Sequence, residues 1–144
     1  MYGQYSRNID AKNRLSLPTK LRDQLGSKFY LTIGMENVVE IRSIAEFEKL
    51  TSELTSQGSF NSDARKLKRY WLGRSQEIEL DSQNRFILPK QFLAKANIQK
   101  EVIFVGLGDL VELWGAEKYN EYNENISIEE ISRAAENLMN RNKN

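Results

Sequence analysis

The sequence predicts an α+β fold, mainly β, built by using one unit twice. Three observations carry this. The stretch "IDAKNRLSLPTKL" (9–21) returns as "LDSQNRFILPKQF" (80–92). The chain's only two prolines, Pro18 and Pro89, fall at one equivalent position of the two copies. Short apolar runs of loosely alternating pattern flank each copy, as half-buried strands require. A shift of 71 superimposes Asp10 on Asp81, Asn13 on Asn84, Arg14 on Arg85 and Leu17 on Leu88. With one inserted residue the match resumes: "TIGMENVVEIRSIAEF" from Thr32 lies over "FVGLGDLVELWGAEKY" from Phe104, Gly34 meets Gly106, and Val39 meets Val111. Self-similarity of this kind marks a duplication, here with too few copies for a solenoid or propeller. The organisation is a first unit at 5–50, linking helices at 51–75, a second unit at 76–122, and a C-terminal helix and tail at 123–144.

Each element has a local reason. "YSRNI" and "RLSLP" read as strands, the second with Leu15 and Leu17 on one face. Between them, Asp10 suits the first position of a type I turn, because its carboxylate bonds the backbone two residues on. Asn13 follows where a three-residue hairpin loop needs the left-handed conformation, which Asn tolerates. Asp81 and Asn84 repeat this. Pro18 and Pro89 end the strand and suit the first turn of a short helix, in which Leu21 and Leu25 face the core and Gly26 ends it. A second hairpin follows, "FYLTI" turning near Gly34 into "VVEIR", and "EVIFVG" turning at "LGD" into "LVELW". Ser43 with Glu46 forms a capping box ahead of the stripe Ile44, Phe47, Leu50 and Leu54. Ala64, Leu67 and Trp71 or Leu72 mark a further helix, closed by Gly73. Ser127 with Glu130 caps a last helix with the stripe Ile128, Ile131, Ala135 and Leu138. "NRNKN" is expected to fray.

Composition excludes several chemistries. Cysteine and histidine are both absent, which removes disulfides, thiolate sites, the commonest general base and the commonest metal ligand. No phosphate loop, dinucleotide turn or nucleophile elbow is present. The recurring carboxylates Glu40 and Glu112 are explained by duplication more simply than as a catalytic pair, so no enzyme, cofactor or small-molecule substrate is expected. No apolar run approaches a membrane span, and the polar start lacks the apolar stretch of a secretory signal; a cytoplasmic location is expected.

The net charge of +1 hides a pattern. Residues 1–28 carry six cations against two carboxylates, net +4, and residues 61–74 carry five against one, again net +4. Such segments suit an anionic partner or solvated faces. The helix bearing Arg65, Lys66, Lys68 and Arg69 fits a solvated face best, with DNA or a neighbouring subunit as the other readings. Trp71 and Trp114 suit buried or interface anchors better than base-stacking platforms.

The duplicated Asp-x-x-x-Arg followed by a hydrophobic run and Pro resembles the swapped-hairpin AbrB class of DNA-binding domains. Two such units in one chain of about this length resemble the MraZ family, over nearly the whole chain; "DAKNRLSLP", "DSQNRFILP", "VVEIRS" and "LVELWG" all fall where that family has them. The family usually has Gly where this chain has Asn13 and Asn84. The resemblance implies an AbrB-like β-barrel made by interlocking hairpins, here an intramolecular pseudo-dimer with peripheral helices. It also implies a transcriptional regulator in the cytoplasm and nucleoid. Such a regulator binds short direct repeats of double-stranded promoter DNA upstream of the division and cell-wall gene cluster, as a ring-shaped homo-oligomer. An antitoxin-like or scaffolding protein-interaction module is the alternative.

The candidate DNA-binding residues are Arg14, Lys12, Asn13, Asp10, Arg7, Lys20 and Arg85. Asp10 with Arg14 can be a hairpin clip alone, or can also orient the arginine, whose fork of donors suits phosphate or guanine. Lys12 at the turn tip would meet phosphate. The first copy is favoured because the second has Gln83 in place of Lys12.

Overall fold

The computed structural model describes residues 1–142. The first unit comprises β1 (Tyr2–Asn8), β2 (Arg14–Ser16), α1 (Thr19–Leu25), β3 (Lys28–Ile33), β4 (Val39–Ser43) and α2 (Ile44–Thr55). Helix α3 (Ser62–Trp71) links it to the second. The second contains β5 (Ser75–Glu79), β6 (Arg85–Ile87), α4 (Lys90–Lys95), β7 (Glu101–Leu107), β8 (Val111–Gly115) and α5 (Ala116–Asn125), followed by α6 (Ile128–Asn142).

The two units are swapped. Six strands form one antiparallel sheet in the order β1-β7-β8-β4-β3-β5. Thus β1 of the first unit pairs with β7 of the second, and β5 of the second pairs with β3 of the first. The pseudo-twofold passes between β4 and β8, where Glu40 lies directly opposite Glu112. Strands β2 and β6 leave this sheet and pair with each other as a two-stranded antiparallel ribbon. Edges β1 and β5 are not joined by a ladder among the described residues, and the β2–β6 ribbon packs into the same core.

One core serves both units. Leu15, Leu17, Leu21 and Leu25 and their counterparts Phe86, Leu88, Phe92 and Ala96 are all buried in it, together with the inner faces of β3, β4, β7 and β8. Phe29 of one unit meets Phe86 of the other edge-on at 5.4 Å between ring centres. Burying either ring is worth about 1.5–3 kcal/mol, so neither unit keeps its core without the other.

Several expectations are corrected. The alignment of Thr32 with Phe104 is one residue out. Phe29, Leu31 and Ile33 face the core opposite Ser43, Ile41 and Val39, as Val102, Phe104 and Gly106 do opposite Gly115, Leu113 and Val111. Leu31 therefore corresponds to Phe104; two residues are inserted ahead of β7 and one is lost from the following turn. A one-residue slip exchanges the faces of a strand, and the coincidence of two glycines concealed it. Gly106 lies against the backbone of Met1 and Tyr2, where a Cβ would come within 2.8 Å; Gly34 instead opens a turn that carries a 3-10 helix, Met35–Asn37. Pro18 and Pro89 are the N-caps of α1 and α4 rather than first-turn residues. Ile44 of the α2 stripe and Leu67 of α3 are partly exposed, at 36% and 38%, and the stripe of α6 faces solvent. The helix continues through most of "NRNKN", to Asn142; positions 143 and 144 lie outside the described residues. No helix among the described residues is long and apolar enough to cross a membrane.

Candidate nucleic-acid interface

The β2–β6 ribbon gathers the repeated motif. Leu15 and Phe86 are paired and face inward, so their neighbours face out: Arg14 opposite Ile87 and Ser16 opposite Arg85. The two arginines are diagonal neighbours on the outer face, a spacing of about 7 Å for such pairs. Ile87, 61% exposed, stands on the same outer face. Two further bonds tie each turn to the other unit's strand: the Leu17 N–H donates to the Asn84 carbonyl, and the Leu88 N–H to the Asn13 carbonyl.

Each turn has the expected geometry. The Asn13 N–H donates to the Asp10 carbonyl at 3.0 Å, and Asn13 adopts φ 61°, with Asn84 at 58°. Asp10 Oδ1 accepts from the N–H groups of Lys12 (2.9 Å) and Arg14 (2.8 Å), while Oδ2 accepts from Arg14 Nε at 2.7 Å. Asp81 repeats the pattern with Gln83, Arg85 and Arg85 Nε at 2.8, 2.9 and 3.2 Å. The Arg14 backbone N–H, then its guanidinium and the Lys12 N–H, hold the Asp10 carboxyl below its ordinary 3.8, outweighing desolvation. The Asp81 carboxyl is lowered likewise, first by the Arg85 backbone N–H.

The clip engages Nε only. The terminal nitrogens of Arg14 and Arg85 make no hydrogen bond among the described residues, and both arginines border one open hollow with Ile87, Glu77 and Glu79. Hairpin clip and orienting device are therefore one arrangement: the carboxylate fixes the inner edge of the guanidinium and turns its outer edge to solvent.

The other candidates are spread more widely. Lys12 is exposed at the tip of the first turn. Arg7 is half-buried on edge strand β1 and donates to the Ser6 carbonyl. Lys20, on α1, borders a separate hollow with Met1, Tyr2, Tyr5, Asp23 and Gln24. Two further carboxylates bear on this face. Glu77 and Glu79 stand on β5 where Ser6 and Asn8 stand on β1, a difference open to inspection once the repeat is aligned. With Asp81 they leave residues 75–87 at net −2, against net +2 for residues 2–16, where Arg7, Lys12 and Arg14 face Asp10 alone. The two hairpins are alike in geometry and opposite in charge.

Comparison with known proteins adds to this. A family model described as "MraZ protein, putative antitoxin-like" matches residues 1–70 and again 72–142, once per unit. The chain belongs to the MraZ family. Proteins named transcriptional regulator MraZ are similar to it over most of their length. That of Mycoplasmopsis pulmonis is 44% identical over 94% of this chain and 92% of its own. Those of a Thermoanaerobacter strain and of Mycoplasma mobile are 37% and 40% identical, over 96% and 83% of this chain and 98% and 82% of their own. MraZ proteins are regulators of transcription and not enzymes. In this MraZ chain the recurring glutamates accordingly read as structure. Glu40 pairs with Arg42 at 2.7 Å, and Glu112 accepts from Trp114 Nε1 at 3.0 Å. Burial, then the nearby Glu40 and Glu36, push the Glu112 carboxyl above its ordinary 4.5, despite the indole bond.

Proposed function

We propose that this protein is a sequence-specific regulator that binds double-stranded promoter DNA through the β2–β6 ribbon, chiefly through the first hairpin. The observation that carries this is the pair of outward arginines, each clipped at Nε with its terminal nitrogens unpaired. A two-stranded β-ribbon fits the DNA major groove, where an Arg fork can reach guanine O6 and N7. Lys12 stands at the tip to meet phosphate. Ile87 supplies an apolar contact for a thymine methyl. Asp10 and Asn13 build the turn rather than touch the bases. The charge difference between hairpins gives Arg14 the leading role and Arg85 a supporting one.

The family resemblance supports the finer reading. The target is short direct repeats upstream of the division and cell-wall gene cluster, and the protein acts in the cytoplasm, on the nucleoid, as a ring of identical subunits joined head to tail. Repeated modest contacts to repeated boxes then add through effective concentration. The test is to map the genomic DNA the protein binds, then titrate a duplex carrying those boxes at rising salt. Tandem short boxes and an affinity that falls steeply with salt are expected, as for any interface that displaces counterions. A flat salt titration would point to a protein partner instead.

A further inference from the structure

We infer that Glu77 and Glu79 fix the direction in which the protein lies on its DNA, by keeping the phosphate backbone away from the second hairpin. This rests on the DNA reading above and names what makes it one-sided. A reader with two equal halves binds a palindrome, because the symmetry of the site mirrors that of the protein. The ribbon has that symmetry in its backbone: β2 and β6 pair about their middle residues, and Arg14 and Arg85 are clipped alike. Any preference for one direction therefore comes from side chains that differ between the copies.

The difference is concentrated where each edge strand runs into its turn. Ser6, Arg7 and Asn8 at the end of β1 are matched by Glu77, Ile78 and Glu79 at the end of β5, so +1 is set against −2. The strand ends opposite soften this without erasing it. Lys28 lies opposite Glu79, Glu101 lies opposite Asn8, and Lys100 takes the Ile9 N–H on its carbonyl. With these included the first side stands at +1 and the second at −1, and Lys12 in place of Gln83 widens the gap by one more charge. Glu77 and Glu79 are exposed and make no ion pair among the described residues. They border the hollow that holds Arg85. Duplex DNA is anionic along its whole backbone. A phosphate brought to the first hairpin meets Arg7 and Lys12; one brought to the second meets two carboxylates, and such like-charge contacts suppress the wrong docking. One hairpin is then left to hold each box. A box read by one hairpin is a single half-site, and the protein lies on it one way. Direct rather than inverted repeats demand that arrangement.

The test uses the absence of cysteine from the chain: a thiol introduced at one position carries an iron chelate that cuts the DNA nearest to it. Ala11→Cys puts the chelate on the first turn and Ser82→Cys on the second, both at exposed positions. The probe is an end-labelled duplex holding one box from the mapped genomic DNA, at low salt. With Glu77 and Glu79 in place, position 11 is expected to cut on one side of the box and position 82 on the other. With Glu77→Gln and Glu79→Gln, either position should cut on both sides. Binding should also tighten by about fivefold, the scale of two exposed charge interactions. Glu77→Asp with Glu79→Asp keeps the charge and should keep the one-sided pattern. All these positions are exposed, so circular dichroism should match that of the unaltered protein. Cutting on both sides with Glu77 and Glu79 in place or with the Asp pair, or one-sided cutting that survives the Gln pair, overturns the inference while leaving the DNA reading intact. An unaltered protein that does not bind the duplex overturns both.

Discussion

Asp10 serves the turn and the neighbouring arginine at once. Its two oxygens take two backbone N–H groups and Arg14 Nε, so the turn and the arginine are set by the same carboxylate. Its lowered pKa means that the folded state binds this proton less readily than the unfolded chain. The stabilisation is complete above the ordinary 3.8 and is lost only as pH falls below it. Glu112 has the opposite sign. Its raised pKa makes its charge a cost at neutral pH that disappears as pH falls through the raised value. It faces Glu40 across the ladder, and opposed like charges cost about 0.2–1 kcal/mol. Glu112→Gln keeps an amide oxygen for Trp114 Nε1 and removes that repulsion. Thermal melts at pH 7 should show a gain of about 2 °C for roughly 0.5 kcal/mol, shrinking as the pH is lowered towards 4. A loss of stability at pH 7 would refute this account of the pair. At this scale the turn residues were legible, because Asp and Asn have local reasons to be there. The juxtaposition of Glu40 with Glu112 was not, since it depends on which strands of the two units meet.

The hairpin turn is the element on which the site depends, and it needs a left-handed residue. Asn is among the few side chains that tolerate that conformation. Asn84 adopts it at φ 58° outside the more basic hairpin, so it reports on the fold rather than on DNA. Asn84→Ala should lower the unfolding free energy by about 1 kcal/mol, and Asn84→Gly should be close to neutral; both are read from urea midpoints. Equal stability of all three would remove the left-handed requirement. The order of elements could be read from turn chemistry and capping boxes, and Ser43 does cap α2, accepting from the Glu46 N–H. The register of β3 against β7 could not. Two glycines lined up by chance, and only pairing reveals which face a residue takes. The exposure of α6 was equally hidden: an amphipathic stripe does not state what covers it.

At the level of the whole molecule, the swap makes two units into one folding object. Each first strand is an edge of the other unit's half of the sheet, and the core runs through both. Unfolding should therefore be a single transition, with calorimetric and van't Hoff enthalpies equal; two resolved transitions would contradict a shared core. The swap also joins the two copies of the motif in one ribbon, which is why a duplicated sequence yields a single candidate interface with unequal halves. That asymmetry is the centre of the account. It is tested most directly by fluorescence anisotropy, titrating a duplex that carries the bound boxes with the unaltered protein, Arg14→Ala and Arg85→Ala at one salt concentration. Losing a good base contact costs about 1–3 kcal/mol, so Arg14→Ala should weaken binding by about tenfold or more and Arg85→Ala by distinctly less. Unchanged affinity in a folded Arg14→Ala protein would contradict the account.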